Sequence, residues 1–273
     1  MYRYFLLLLI CISMPSSAIF IRHDIDESQY LADINDFKFL ATLYDFGVHG
    51  SLIHPQWVVT AAHAVICLSQ GSTIRVGDKT AQVSNIYISK NYDSKGEHDI
   101  ALIKLQSPLI DVPHIKLYTL DDEENMNVWI LGAGSSGNGL SKKSTNQKKL
   151  LLAENKITET TNSDIYFIFD KGLNAEPLEG ASGNGDSGGP AFIYIDNDFY
   201  LLGISSRTGS WFKGTGEYGV KEVYTRISTH IEWIEGVLNG SSLERAGLAE
   251  SISVPNTLSK SRQLDLFCNG NGS

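Results

Sequence analysis

Short apolar, β-branched runs broken by Gly, Asn and Asp fill the chain from Ile19 to about Leu238. They include "FKFLATLYDF", "QWVVTAAH", "TIRVG", "AQVSNIYIS", "DIALIKL", "NVWILGAG", "DIYFIF", "PAFIYI", "FYLLGISS" and "VYTRI". Strand-length runs at this spacing, with turn residues between them, predict an all-β sandwich or barrel. One stretch has a different period. In "STHIEWIEGVL", Ile231, Ile234 and Leu238 recur at helical spacing and Thr229 is placed to cap them, which predicts a helix near the end. From Asn239 to Ser273 the pattern turns polar and aperiodic, as expected of a disordered tail or linker.

The N-terminus reads "MYRYFLLLLICISMPSSA". Arg3 supplies a positive start, and Phe5 to Met14 is apolar but too short to cross a bilayer as a helix. Ser16 and Ala18 put small residues where a signal peptidase cuts, so residues 1–18 read as a signal peptide and lie outside the fold. The expected location is secreted, either extracellular or periplasmic, with no membrane span after cleavage.

At 273 residues and 42% hydrophobic, the chain can bury one large or two small cores. A formal charge of -9 argues against a nucleic-acid partner, because phosphate binding needs a basic face. No P-loop, dinucleotide fingerprint or repeat is visible, and no metal or other cofactor is expected. Export permits disulfides, yet only Cys67 and Cys268 remain once Cys11 leaves with the signal peptide. Cys268 sits in the patternless tail, so two unpaired thiols are the favoured reading, with a Cys67–Cys268 pair as the alternative.

Candidate chemistry comes from "GNGDSGGPAF", residues 183–192, where four glycines surround Asp186 and Ser187. A serine hydroxyl is a poor nucleophile unless a base takes its proton and a third group orients that base. His63 in "WVVTAAHAV" follows a strand-like run and is flanked by small residues. Asp99 in "EHDIALIKL" stands directly before a strongly apolar strand. Each residue alone fits a structural role as well. Together, His63, Asp99 and Ser187 occur in that order, 36 and then 88 residues apart.

With "GSLIHPQWVVTAAH", "HDIALIKL", "GNGDSGGP" and "VYTRI" followed by "HIEWI", the chain resembles the chymotrypsin-like serine proteases from about Ile19 to Leu238. The resemblance implies two packed six-stranded antiparallel Greek-key β-barrels with a C-terminal helix, the barrels spanning about 19–118 and 119–238. It implies a serine endopeptidase in which Ser187 attacks, His63 shuttles the proton and Asp99 orients His63. Gly185 and Ser187 would supply the oxyanion-hole amides. Protein or peptide substrates, protein inhibitors and a monomeric state go with it. A catalytically inactive binding protein or an esterase on the same fold are the rival readings.

Several positions depart from the familiar pattern. Ala64 and Gly183 stand where secreted animal members carry cysteines, which resembles a bacterial-type member. No "IVGG" follows a pro-peptide, but cleavage after Ala18 would expose Ile19 as a new terminus for Asp186. The alternative is an internal partner for Asp186, either His23 or Arg22. The resemblance places Ala181 and Glu222 in the specificity pocket, a pairing similar to cathepsin G, which implies basic or aromatic P1 side chains unless Glu222 points to solvent. A buried Glu222 could also be protonated and favour the aromatic group. Ser206 aligns with the serine beside the triad Asp and Thr208 with the pocket mouth; a slipped register would choose Ser210 and Trp211 instead. The loop "RVGDKTAQVSNIY" carries too few oxygen ligands for calcium.

Overall fold

The computed structural model describes residues 17–45, 47–209 and 215–252. Its strands are β1 (Ser17–Ile21), β2 (Leu40–Tyr44), β3 (Gly47–His54), β4 (Trp57–Thr60), β5 (Thr73–Val76), β6 (Lys79–Ser89), β7 (Ala101–Leu105) and β8 (Lys116–Leu117). They continue with β9 (Asn127–Asn138), β10 (Ser141–Lys156), β11 (Glu159–Thr160), β12 (Asp164–Ile168), β13 (Gly180–Ala181), β14 (Pro190–Ile195), β15 (Asp198–Thr208), β16 (Lys221–Arg226) and β17 (Ala249–Ile252). Two helices, α1 (Ile231–Asn239) and α2 (Ser242–Leu248), precede the last strand.

In the first sheet the order is β17-β6-β5-β2-β3-β4-β7, and β7 pairs back to β6. Six strands therefore close into a barrel, and no free edge remains among them. Alternation sets the faces: in β5, Ile74 and Val76 are buried while Thr73 and Arg75 are exposed. Strand β4 is buried at every position because the chain covers both of its faces. The second half forms another β-sheet, with β11-β12-β16-β15-β14-β9-β1-β13 in order, β10 on β9 and β8 on β15. Its pairings are antiparallel except β1 with β9 and β8 with β15. The expected all-β architecture with a C-terminal helix is what the chain adopts.

The two halves share a core. Phe37 and Phe39 from the first half meet Phe192 and Phe199 from the second, with ring centroids 5.2 to 6.2 Å apart. Tilted and edge-on rings at these separations add attraction beyond the area they bury.

The chain's end departs from the sequence reading in three ways. Thr229 does not cap α1: its hydroxyl donates to the Arg226 carbonyl at 3.3 Å, within a 3-10 turn (Ser228–His230) that leads into the helix. The segment after Asn239 is not wholly aperiodic. Ser241 and Glu244 form a reciprocal capping box that starts α2, and β17 then pairs antiparallel with β6 from Ala249↔Ser89 to Ile252↔Ile86. Cys67 is disulfide-bonded, against the expectation of a free thiol, and its mate lies outside the described residues. Residues 253–273 also lie outside them.

Candidate active site

Antiparallel pairing of β4 with β7 sets Thr60 opposite Ala101. The end of one strand and the start of the other therefore share a barrel rim. His63 opens a 3-10 turn (His63–Val65) just past β4, and Asp99 lies two residues ahead of β7. A tight turn fixes Asp99: His98 has a left-handed φ of 53°, and the Ile100 amide donates to the His98 carbonyl at 2.8 Å across it. Thr225 Oγ1 also donates to the Asp99 carbonyl, at 2.9 Å.

Ser187 comes from the glycine-rich turn before β14, in the second half. Two amides of β3 hold that turn across the junction: Val48 donates to the Gly185 carbonyl at 2.6 Å and His49 to the Ser187 carbonyl at 2.7 Å. Gly188 (φ 77°) packs so tightly that a Cβ there would overlap the His49 carbonyl and Thr60 Oγ1. Here glycine is a requirement of packing and of backbone conformation together.

The three side chains meet. His63 Nδ1 lies 2.7 Å from Asp99 Oδ2, and His63 Nε2 lies 2.9 Å from Ser187 Oγ. Asp99 accepts at Nδ1–H, so Nε2 presents its lone pair to the serine proton. Asp99 also accepts from the His63 amide at 3.0 Å and from Ser206 Oγ at 2.7 Å. Burial pushes the Asp99 carboxyl up, but the bonds from His63 and Ser206 outweigh it and hold the group below its ordinary value. It stays an anion beneath the ring. The amides of Gly185 and Ser187 have no acceptor among the described residues and lie on the same turn as the Ser187 hydroxyl.

Beside this site lie two buried carboxyl groups. Asp186 accepts from the Gly183 amide at 2.9 Å through Oδ2, whereas Oδ1 is buried without a partner among the described residues. Burial pushes this carboxyl well above its usual range, and the nearby Glu222 adds to the rise. Neither internal partner weighed from the sequence reaches it. Arg22 pairs with Asp24 and donates to the Glu176 carbonyl, and His23 meets the Tyr218 hydroxyl. Ile19 is buried in β1, next to Phe20, which pairs with Ala181.

Glu222 is 1% exposed, on β16, and therefore does not point to solvent. Ser182 Oγ donates to its Oε2, its Oε1 has no partner among the described residues, and burial pushes the carboxyl up to about 8. Thr208 pairs with Glu222 across β15 and β16. Ser206 Oγ lies 2.7 Å from Asp99 Oδ2, while Ser210 and Trp211 of the alternative register lie outside the described residues.

Sequence reasoning missed Ser182 and Arg207. Ser182 directly follows Ala181 at the end of β13, and its hydroxyl meets Glu222, 40 positions away on β16. Arg207 donates to the Gly96 carbonyl at 2.5 Å and to Asp164 at 2.8 Å, which ties the loop ahead of Asp99 to the second sheet. An arginine directly after Ser206 was the available signal.

The chain is similar to known serine proteases. The family model described as Trypsin matches residues 28–234. Testisin from Homo sapiens is 28% identical over 240 residues, covering 74% of this chain and 74% of its own. "Serine protease SSP1" from Scolopendra subspinipes is 29% identical over 220 residues, covering 72% of this chain and 76% of its own.

Proposed function

This chain belongs to the trypsin family of serine-type endopeptidases, and from that premise we propose that Ser187, His63 and Asp99 are its catalytic residues. The observation that carries the reading is the unbroken chain of hydrogen bonds from Asp99 through His63 to Ser187 Oγ, at 2.7 and 2.9 Å. Ser187 Oγ attacks the scissile carbonyl carbon as His63 Nε2 takes its proton. Asp99 holds the resulting imidazolium, and the Gly185 and Ser187 amides bind the oxyanion, at about 3 kcal/mol for each donor. His63 then protonates the leaving amine. Water, activated by the same ring, hydrolyses the acyl-enzyme.

The specificity pocket has Ala181 and Glu222 in its base, with Ser182 holding the carboxyl and Thr208 towards its mouth. Neutral Glu222 accommodates aromatic P1 groups, and ionised Glu222 attracts basic ones. The chain is secreted after cleavage following Ala18. That cut frees the Ile19 ammonium, which supplies the missing partner of Asp186 Oδ1. The β1–β13 register supports this, since it sets Ile19 next to the residue that pairs with the pocket base.

The test is a peptide-library cleavage profile of the purified secreted protein, with its N-terminus sequenced. Ile19 at the terminus and cleavage after Lys, Arg, Phe or Tyr are the expected results. A different first residue overturns the activation route, and cleavage confined to small or acidic P1 residues overturns the pocket assignment.

A further inference from the structure

Three residues that the catalytic reading leaves unused are Asn239, Gly240 and Ser241, an asparagine two places ahead of a serine with no proline between them. That pattern is the acceptor sequence for oligosaccharide transfer to asparagine in exported chains. Whether a sugar fits there is decided by the fold. Asn239 is the last residue of α1 and is exposed. Its side-chain amide makes no hydrogen bond among the described residues, so the nitrogen is free to take a substituent. Gly240 and Ser241 are extended, with ψ of 156° and 169°, so the acceptor stands on a surface turn where the helix ends.

The surroundings leave room. Beside Asn239, α1 and α2 flank an open groove of about 670 Å³, lined also by Glu235, Gly236, Gly240, Gly247 and Leu248. A Cβ added at Gly247 would meet nothing within 4 Å. The Glu235 carboxylate can accept from sugar hydroxyls, and Leu248 offers an apolar wall to a sugar ring. This end of α1 also points away from the triad. His230, just ahead of the helix, meets His98 at 3.0 Å beside Asp99, and the 9 residues of helix rise about 13 Å from there.

We propose that Asn239 is a glycosylation site, bearing an asparagine-linked oligosaccharide whose first sugar lies over the groove between α1 and α2. The inference rests on the proposed export, which brings the chain to the transferring enzyme. The donor is a lipid-linked oligosaccharide pyrophosphate. Asn239 Nδ2 loses a proton and forms a bond to the anomeric carbon of the first sugar. The bond from that carbon to the pyrophosphate oxygen breaks, and the lipid pyrophosphate leaves with its electron pair. The result is a bulky, hydrated substituent on the surface, remote from the cleft that substrate enters.

Ser241 has a second duty that shapes the test. Its hydroxyl accepts from the Glu244 amide at 3.3 Å and its amide donates to Glu244 Oε2 at 2.7 Å, so removing the hydroxyl would also uncap α2. Aspartate caps a helix as well as serine does but is not part of an acceptor sequence.

The experiment is peptide mapping of the protein secreted by the organism that makes it, before and after peptide N-glycosidase in heavy-oxygen water. Asn239 should appear only after treatment, converted to an aspartate with one heavy oxygen from the solvent; a control without enzyme accounts for spontaneous deamidation at this Asn-Gly pair. A predominantly bare Asn239 in the untreated protein overturns the proposal. So does a sugar found solely at the other such pattern, Asn271 to Ser273, which lies outside the described residues. Asn239→Gln and Ser241→Asp should both lose the enzyme-sensitive shift in gel mobility, and Ser241→Thr should keep it. A shift that persists in Ser241→Asp contradicts the assignment. With the sugar remote from the cleft, kcat/KM should be unchanged in all three variants, and a fall confined to the two without sugar contradicts that placement. N-terminal sequencing separates the two readings: a chain retained in the cell with Met1 intact fails the export reading, whereas a secreted chain cut after Ala18 with Asn239 bare fails this one alone.

Discussion

Glu222 is the residue where burial and chemistry are most directly opposed. Its carboxyl is pushed up to about 8 from an ordinary 4.5, so the folded protein keeps a proton that the unfolded chain releases. The stability this provides is full below about 4.5 and is lost as pH rises through about 8. Glu179, also buried and pushed up to about 8, loses its share in the same window. Glu222→Gln should therefore flatten, without abolishing, the decline in thermal midpoint across that range. With Glu222 in the proposed pocket, kcat/KM for a Lys P1 substrate relative to a Phe one should rise between pH 6 and 9 in the wild-type protein and stay level in Glu222→Gln. A parallel pH profile in both proteins would remove Glu222 from the pocket. At this scale the sequence was most informative for His63, Asp99, Ser187 and Ser206, whose motifs are contiguous. Ser182 was not legible as a partner of Glu222, because their contact is a side-chain bond between residues 40 positions apart.

Among the elements, strands were readable wherever one face is buried, since alternation follows directly from the pleat. Strand β5 is the clear case. Helix α2 escaped notice for the opposite reason: it has no buried residue and hence no apolar stripe. Polar contacts hold it instead. Arg245 donates to the Val237 and Leu238 carbonyls at 2.6 and 2.9 Å, and its guanidinium lies 5.6 and 5.9 Å from the Trp57 and Tyr87 rings. Trp233 Nε1 donates to the Leu248 carbonyl at 3.1 Å. Arg245→Ala should cost about 2 kcal/mol in denaturant unfolding, from two lost charge-assisted bonds and the ring contacts, and should speed amide exchange in β17 before the rest of the barrel. Unchanged exchange in β17 would mean that the strand is held without α2.

In the molecule as a whole, the site exists only where the halves meet. His63 and Asp99 sit on the barrel rim, Ser187 on the turn before β14, and the His49 amide spans the gap by donating to the Ser187 carbonyl. An aromatic cluster packs the two halves against each other. Phe192 is 1% exposed and touches Phe37, Phe39 and Phe199. Phe192→Ala should lower unfolding free energy by about 3 kcal/mol, the cost of emptying a large core position, and should lower kcat more than it raises KM. A thermal midpoint equal to that of the wild type would show that the junction does not depend on the cluster. Because Phe37 and Phe192 lie so far apart in the chain, their partnership could not be read from local pattern. Only the presence of two apolar halves could.

The most direct test of the central claim is to locate the adduct formed by a serine-directed phosphonate, using peptide mapping of the mature protein. A single adduct on Ser187 is predicted, absent from Ser187→Ala and His63→Ala proteins that keep the wild-type circular dichroism spectrum. An adduct on any other serine, or a folded wild-type protein that takes up no phosphonate, would contradict it.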